Sequence, residues 1–130
     1  MLHQLRTTKP QEFIDITDIV ATDVRNSNIK DGIVVVYVPH TTAGVTINEN
    51  ADSDVVRDII NTLEKVYPVR GDYRHLEGNS HAHIKASLIG SSCTVIIKEG
   101  RLLLGTWQGI YFCEFDGPRQ REFYVKIIKE

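Results

Sequence analysis

Cysteine is scarce in this chain: Cys93 and Cys113 are the only two among 130 residues, too few for a disulfide-stapled scaffold. Both read as small buried hydrophobes in a reducing compartment. No apolar run approaches the roughly 20 residues needed to cross a bilayer, and Met1 to Thr8 has neither the layout nor the length of a secretory signal. The expectation is a cytoplasmic protein without a membrane partner. An excess of one charge is also missing. Fifteen Lys and Arg against 17 Asp and Glu leave a formal charge of -2, which gives no general attraction for a phosphate backbone and argues against nucleic acid as a partner.

What remains is ordinary globular material, 42% hydrophobic and 25% charged, of a length that fits a single domain over residues 1–130. Leu2 to Lys9 and Glu12 to Ile16 read as extended segments broken at Pro10. Thr17 or Asp18 is placed to cap a short helix carrying Ile19, Val20 and Val24, closed by the turn-forming residues from Asn26 to Gly32. Ile33 to Val38 is nearly continuous and β-branched, as a strand packed on both faces would be, and Val45 to Ile47 is short strand material.

The period then changes. Val55, Val56, Ile59, Ile60, Leu63, Val66 and Tyr67 recur at helical spacing, with Asp52 or Ser53 as cap and Pro68 as stop. Beyond a histidine-rich segment, Cys93 to Ile97, Arg101 to Leu104, Ile110 to Phe115 and Glu122 to Ile128 read as strands. Their short connections favour antiparallel neighbours. The pattern predicts an α+β domain dominated by strands.

Three polar segments interrupt this plan. His75-Leu-Glu-Gly-Asn-Ser-His-Ala-His83 holds three of the five histidines. Were it extended, His81 and His83 would share one face with Ala82 opposite, and Gly78 and Asn79 could turn His75 back toward them. Neutral imidazoles suit Zn²⁺ and similar ions, although the spacing is that of neither a zinc finger nor a helical His-x-x-x-His pair. On spacing alone the commoner explanation of such a run is that one of His81 and His83 faces solvent while the others cap loops. Pro39-His-Thr-Thr-Ala-Gly-Val45 leaves a buried strand and presents an imidazole and two hydroxyls, where Gly44 permits either close approach to a ligand or a turn. Gly105-Thr-Trp-Gln-Gly109 offers the only tryptophan, for stacking on a ligand, filling an interface or lying at a core boundary. Lys85 and Arg119 are candidate anion partners or ordinary solvated charges.

Taken in order, His40-Thr-Thr-Ala-Gly44, Thr46-Ile-Asn-Glu49, His75, Gly78-Asn79, Ala82-His-Ile-Lys-Ala-Ser87, Gly105-Thr-Trp-Gln-Gly109 and Glu114-Phe-Asp-Gly-Pro-Arg119 resemble the YjbQ family, also known as the secondary thiamine-phosphate synthase enzyme family. The resemblance covers nearly the whole chain. It implies a β-sandwich-like, mixed or antiparallel strand-rich domain with flanking helices, assembled as a homotrimer with sites near subunit boundaries. It implies a metal-capable pocket of His40, His75 and His83, with a divalent cofactor, Zn²⁺ or Mg²⁺. Glu49 would serve as ligand or general base, with His83 and Lys85 beside it in catalysis. Thr41, Thr42, Asn48, Trp107, Gln108 and Arg119 would contact a small phosphorylated metabolite. At His81 the family carries an aspartate, so the chain departs there. The implied activity is weak thiamine-phosphate synthesis. Three imidazoles suit Zn²⁺ better than oxygen-seeking Mg²⁺, which leaves two alternatives: metal-dependent hydrolysis of a small substrate, or a non-catalytic trimer that binds a metabolite or ion.

Overall fold

The computed structural model describes residues 1–130. Along the chain run β1 (Leu2–Arg6), β2 (Glu12–Asp15), α1 (Thr17–Ser27), β3 (Gly32–Tyr37), β4 (Ala43–Glu49), α2 (Ser53–Val66), α3 (Ser80–Ile89), β5 (Ser92–Lys98), β6 (Arg101–Leu102), β7 (Gln108–Glu114) and β8 (Gln120–Lys129). Every strand pairing is antiparallel, in a five-stranded sheet ordered β1-β8-β3-β5-β6 and a three-stranded sheet ordered β2-β7-β4. The β-branched run expected to be central is central: β3 lies between β5 and β8.

Alternation along the strands divides the molecule into layers. Val34, Val36, Val95, Ile97, Phe123 and Val125 of the larger sheet meet Ala43, Val45, Ile110 and Phe112 of the smaller one, and α1 adds Val20 and Val24 to this core. The other face of the smaller sheet carries Tyr111 and Cys113, which join Phe115 in packing on Ala82 and Ala86 of α3 and on Val56 and Leu63 of α2. The two thiols are free, and burial pushes Cys93 up to about 11, so it is a thiol rather than a thiolate near neutrality.

Two local expectations change. The first helix is capped by backbone geometry at Ile16, while the Asp15 carboxylate takes the Thr17 N–H at 2.9 Å; Thr17 instead accepts the Ile110 N–H at 2.8 Å and ties the helix to β7. The histidine-rich segment is not extended from Ser80 onward. It forms α3, entered through Asn79 and ended at Gly90, whose φ of 100° suits glycine. This helix buries His81 and Lys85 alongside Ala82 and Ala86, so its inner face is half polar and its hydrophobic periodicity is erased.

Gly44 serves packing rather than ligand approach. A Cβ there would lie 2.5 Å from the Gly90 carbonyl oxygen, which also accepts the Val45 N–H at 3.1 Å and fastens α3 to β4. Gly44→Ala is expected to cost about 1–3 kcal/mol in denaturant unfolding, the range for overpacking; an unchanged midpoint would show that α3 can move away freely.

Two of the buried charges, Glu114 and Arg121, centre one network. Arg121 of β8 donates through Nε to Glu114 Oε1 at 2.8 Å and through Nη2 to Glu114 Oε2, and reaches Thr42 Oγ1 at 2.8 Å; Thr7 Oγ1 donates to Glu114 Oε1 at 2.7 Å. Burial works against the Glu114 carboxylate. Hydrogen bonds from Arg121, the Asp116 N–H and Thr7, together with the Arg121 charge, outweigh that and hold it below the usual carboxylate range. A depressed carboxylate contributes stability above its unfolded value, near 4.3, and loses it as pH falls through the lower folded value. Arg121→Met is expected to cost roughly 3–5 kcal/mol by stranding Glu114, and the double variant Glu114→Gln with Arg121→Met to recover a large part of it; a single variant as stable as the parent would contradict this role.

Candidate functional site

Helical geometry decides which histidines meet. At about 100° per residue, positions 81 and 83 stand roughly 200° apart on α3 and point to different sides. His83 shares its side with Ala86, Ser87 and Gly90, and these four line an open depression of about 400 Å³ with His40, Thr41, Ala43 and Ser91. His83 also borders a second depression of about 460 Å³, lined by Asp72, Tyr73, Arg74, His75, Ser80 and Ile84. There the His75 and His83 ring centroids lie 5.4 Å apart, edge to face. His83 is thus shared between His40 on one side and His75 on the other.

The His40 ring is fixed from behind. Its Nε2 accepts the Glu122 N–H at 3.1 Å. Burial first, and then the nearby Arg121 guanidinium, hold the imidazole below the usual histidine range. Thr41 is exposed at the rim, whereas Thr42 is buried and engaged by Arg121, so it offers nothing to a ligand.

The other imidazole of the segment belongs to the interior. His81 is buried, and its Nδ1 lies 3.0 Å from Lys85 Nζ. Lys85 is fully buried, and its Nζ also donates to Gln11 Oε1 at 3.1 Å and Glu64 Oε2 at 3.2 Å. Three acceptors consume its three N–H groups, leaving none for a substrate anion. The catalytic expectation for Lys85 therefore gives way to a structural one, a cation that joins α3, α2 and the β1–β2 connection. Sequence reasoning missed this cluster, although the spacing of four between His81 and Lys85 would have exposed it once the segment was read as a helix.

Four of the remaining candidates, Asn48, Glu49, Trp107 and Gln108, collect elsewhere, while Arg119 lies in the turn beyond the Glu114 end of β7. Glu49 pairs in register with Gln108, and Asn48 with Gly109, at the end of β4 away from Ala43. Six residue steps of strand separate Glu49 from Ala43, about 20 Å at the usual rise, so within one chain Glu49 does not reach the His40 depression. Asn48 Oδ1 accepts the Glu49 N–H at 2.7 Å, and Gln108 Oε1 accepts the Gly105 N–H at 2.8 Å, closing the turn around Trp107, which is 62% exposed. Arg119 is half-exposed and clamps its own turn, donating to the Asp116 carbonyl at 2.8 Å and carboxylate at 3.1 Å.

The metal expectation fares likewise within a single chain. No group of three or more His, Cys, Asp or Glu side chains is placed to hold an ion. His75 and His83 approach each other, but His40 spends on Glu122 the lone pair that an ion would need. The three-histidine set does not fit a metal here.

Over residues 2–130 the sequence matches the family described as UPF0047 protein YjbQ-like. The chain belongs to this family. A UPF0047 protein of Methanocaldococcus jannaschii is 61% identical over 126 residues, covering 97% of this chain and 91% of that protein. UPF0047 protein YugU of Bacillus subtilis is 53% identical over 126 residues, with 96% of each covered. Among solved structures, an uncharacterized YjbQ/UPF0047 family protein of Clostridium acetobutylicum superposes with a TM-score of 0.97 at 62% identity, covering 98% of this chain and 99% of that one. A protein of unknown function from Sulfolobus solfataricus gives 0.96 at 34% identity, covering 100% and 96%. Members of UPF0047 thus share this strand arrangement across a wide span of sequence, and no helix here is long and apolar enough to cross a membrane.

Burial, and then the Lys85 charge, lower the His81 imidazole from its usual range. Lys85→Met keeps the apolar stem and removes the charge, so the His81 ring is expected to titrate at a higher pH than in the parent. The ring-proton shifts against pH measure this directly, and a lower or unmoved midpoint would detach His81 from Lys85.

Proposed function

We propose that the depression between His40 and His83 is the ligand site of a small metabolic protein and that its ligand is a small phosphorylated metabolite. The observation that carries this reading is the sharing of His83 between His40 on one side and His75 at 5.4 Å on the other, in open depressions that no side-chain network fills. The reaction proposed is weak thiamine-phosphate synthesis, the activity associated with the YjbQ family. In that step the ring nitrogen of a thiazole phosphate attacks the methylene carbon of a pyrimidine-methyl diphosphate. A C–N bond forms, the C–O bond breaks, and pyrophosphate leaves with the electron pair. His40 and His83 would hydrogen-bond the departing diphosphate, and Arg119 would add charge at the margin.

A divalent ion enters this proposal only with help from outside the chain. His75 and His83 offer nitrogen donors of the kind Zn²⁺ takes and Mg²⁺ does not, and a third protein ligand would come from a neighbouring copy in the proposed homotrimer. Glu49 and Trp107 would join the site by the same route. The second reading, a trimeric metabolite-binding protein without catalysis, is favoured by one observation: a single chain places neither the Glu49 carboxylate nor the Lys85 amine in the depressions lined by His40, His75 and His83, Lys85 being spent on Gln11, Glu64 and His81.

Purified, tag-free protein supplied with both thiamine precursors, with and without Zn²⁺ or Mg²⁺, is expected to form product above a heat-inactivated control. His83→Ala should lower the rate at least about tenfold, the least that losing a group placed at the reacting phosphate costs. Lys85→Met should leave the rate within a few-fold of the parent. Precursor binding without product would favour the binding protein, and binding unaffected by His83→Ala would remove the depression from the function altogether.

A further inference from the structure

His40 has been considered above as a metal ligand, and its surroundings assign it another role. Its Nε2 faces the Glu122 N–H at 3.1 Å, and a backbone N–H can only donate. Nε2 must therefore carry a lone pair. A protonated imidazolium has no lone pair on either nitrogen, so the ring is neutral, and a neutral ring with Nε2 unprotonated bears its hydrogen on Nδ1. That Nδ1–H has no protein acceptor. The only buried side-chain polar atom without a partner is Asn79 Oδ1, so His40 Nδ1 is not sealed in the interior.

The rest of the lining matches a donor. Thr41 and Ser91 contribute hydroxyls, and neither Asp nor Glu lines the depression to attract a cation or accept the His40 proton. Ser87 is already engaged, donating to the His83 carbonyl at 2.8 Å. Beneath the loop, Arg121 grips the Thr42 carbonyl and hydroxyl while Glu114 balances its charge, so the segment presenting His40 and Thr41 is held from below without a free carboxylate. On this basis we infer that His40 is a hydrogen-bond donor through Nδ1–H to an oxyanion, a phosphate or carboxylate group of the ligand, with Thr41 and Ser91 beside it. His40 takes no part in holding a metal.

This inference rests on the depression being the ligand site, and two readouts keep the two claims apart. Long-range ¹H–¹⁵N spectra of labelled protein, with His40 identified by its loss in a variant, report which nitrogen carries the hydrogen. The expected pattern is Nδ1–H. Titration with inorganic phosphate should shift His40, Thr41 and Ser91, whereas stoichiometric Zn²⁺ should leave the His40 nitrogens in place. His40→Asn, whose amide N–H falls near the Nδ1 position, should bind phosphate within about threefold of the parent, and His40→Ala should bind it roughly 10–100-fold more weakly, the loss of one hydrogen bond to a charged group.

Amide spectra unchanged away from the depression confirm that the variants fold. Hydrogen on Nε2, a Zn²⁺-induced shift of His40, or an Asn variant as weak as the Ala variant would overturn the donor assignment and leave the site reading standing. Phosphate that shifts none of the lining residues would overturn both.

Discussion

The Arg121–Glu114 pair joins parts of the chain that have little else in common. Glu114 ends β7 in the smaller sheet, and Arg121 is the second residue of β8 in the larger one. Thr7, just past β1, and Thr42, just before β4, complete the contacts. Two buried charges are costly to desolvate, and here every oxygen and most donors are occupied, which makes the arrangement a specific one. Its effect at the surface is local. The residues between Val38 and Ala43 leave β3, and the grip on Thr42 together with the Glu122 contact to His40 fixes where that loop stands. The position of His40 therefore depends on buried charges that do not themselves reach the surface.

A second polar cluster does the equivalent work for α3. A helix laid against Tyr111, Cys113 and Phe115 would ordinarily show an apolar stripe, but this one turns His81 and Lys85 inward with Ala82 and Ala86. The small alanines allow close approach to the sheet, and the Lys85 ammonium meets Glu64 and Gln11 where a hydrophobic side chain would otherwise be needed. The consequence for the site is the outward placement of His83. Had the segment been a strand, His81 and His83 would share a face and a two-imidazole chelate would follow from sequence spacing alone. As a helix, it gives one histidine to the interior and one to the surface.

This division separates two groups of polar side chains. One chain collects imidazoles and hydroxyls at the β3–β4 loop, and a separate group with Asn48, Glu49, Trp107 and Gln108 at the opposite end of β4. Antiparallel pairing of β4 with β7 keeps these ends apart by the length of a strand. Within one chain the imidazoles and the Glu49–Trp107 group are thus held apart.

Much of the fold was legible from residue pattern. The β-branched run from Ile33 to Val38, the helical recurrence from Val55 to Tyr67, and the four late strands each announce themselves because their burial is apolar and periodic. α3 was hidden for the opposite reason: its buried face is partly charged, and only the Asn79 entry, the Gly90 exit and the spacing of Ala82 and Ala86 mark it. The candidate site is visible in the sequence as a set of residue types, and the fold then brings His83 between His40 and His75. Thr42 and Lys85 are interior, and Glu49 lies at the far end of β4, which residue type alone does not reveal. Sequence alone determined where strands and the long helix would form, since local periodicity and turn chemistry specify them. Only tertiary structure decided which imidazole faces solvent and which nitrogen of His40 bears a hydrogen, because both are set by partners more than 80 residues away or on another face, as the pairing of His40 with Glu122 shows.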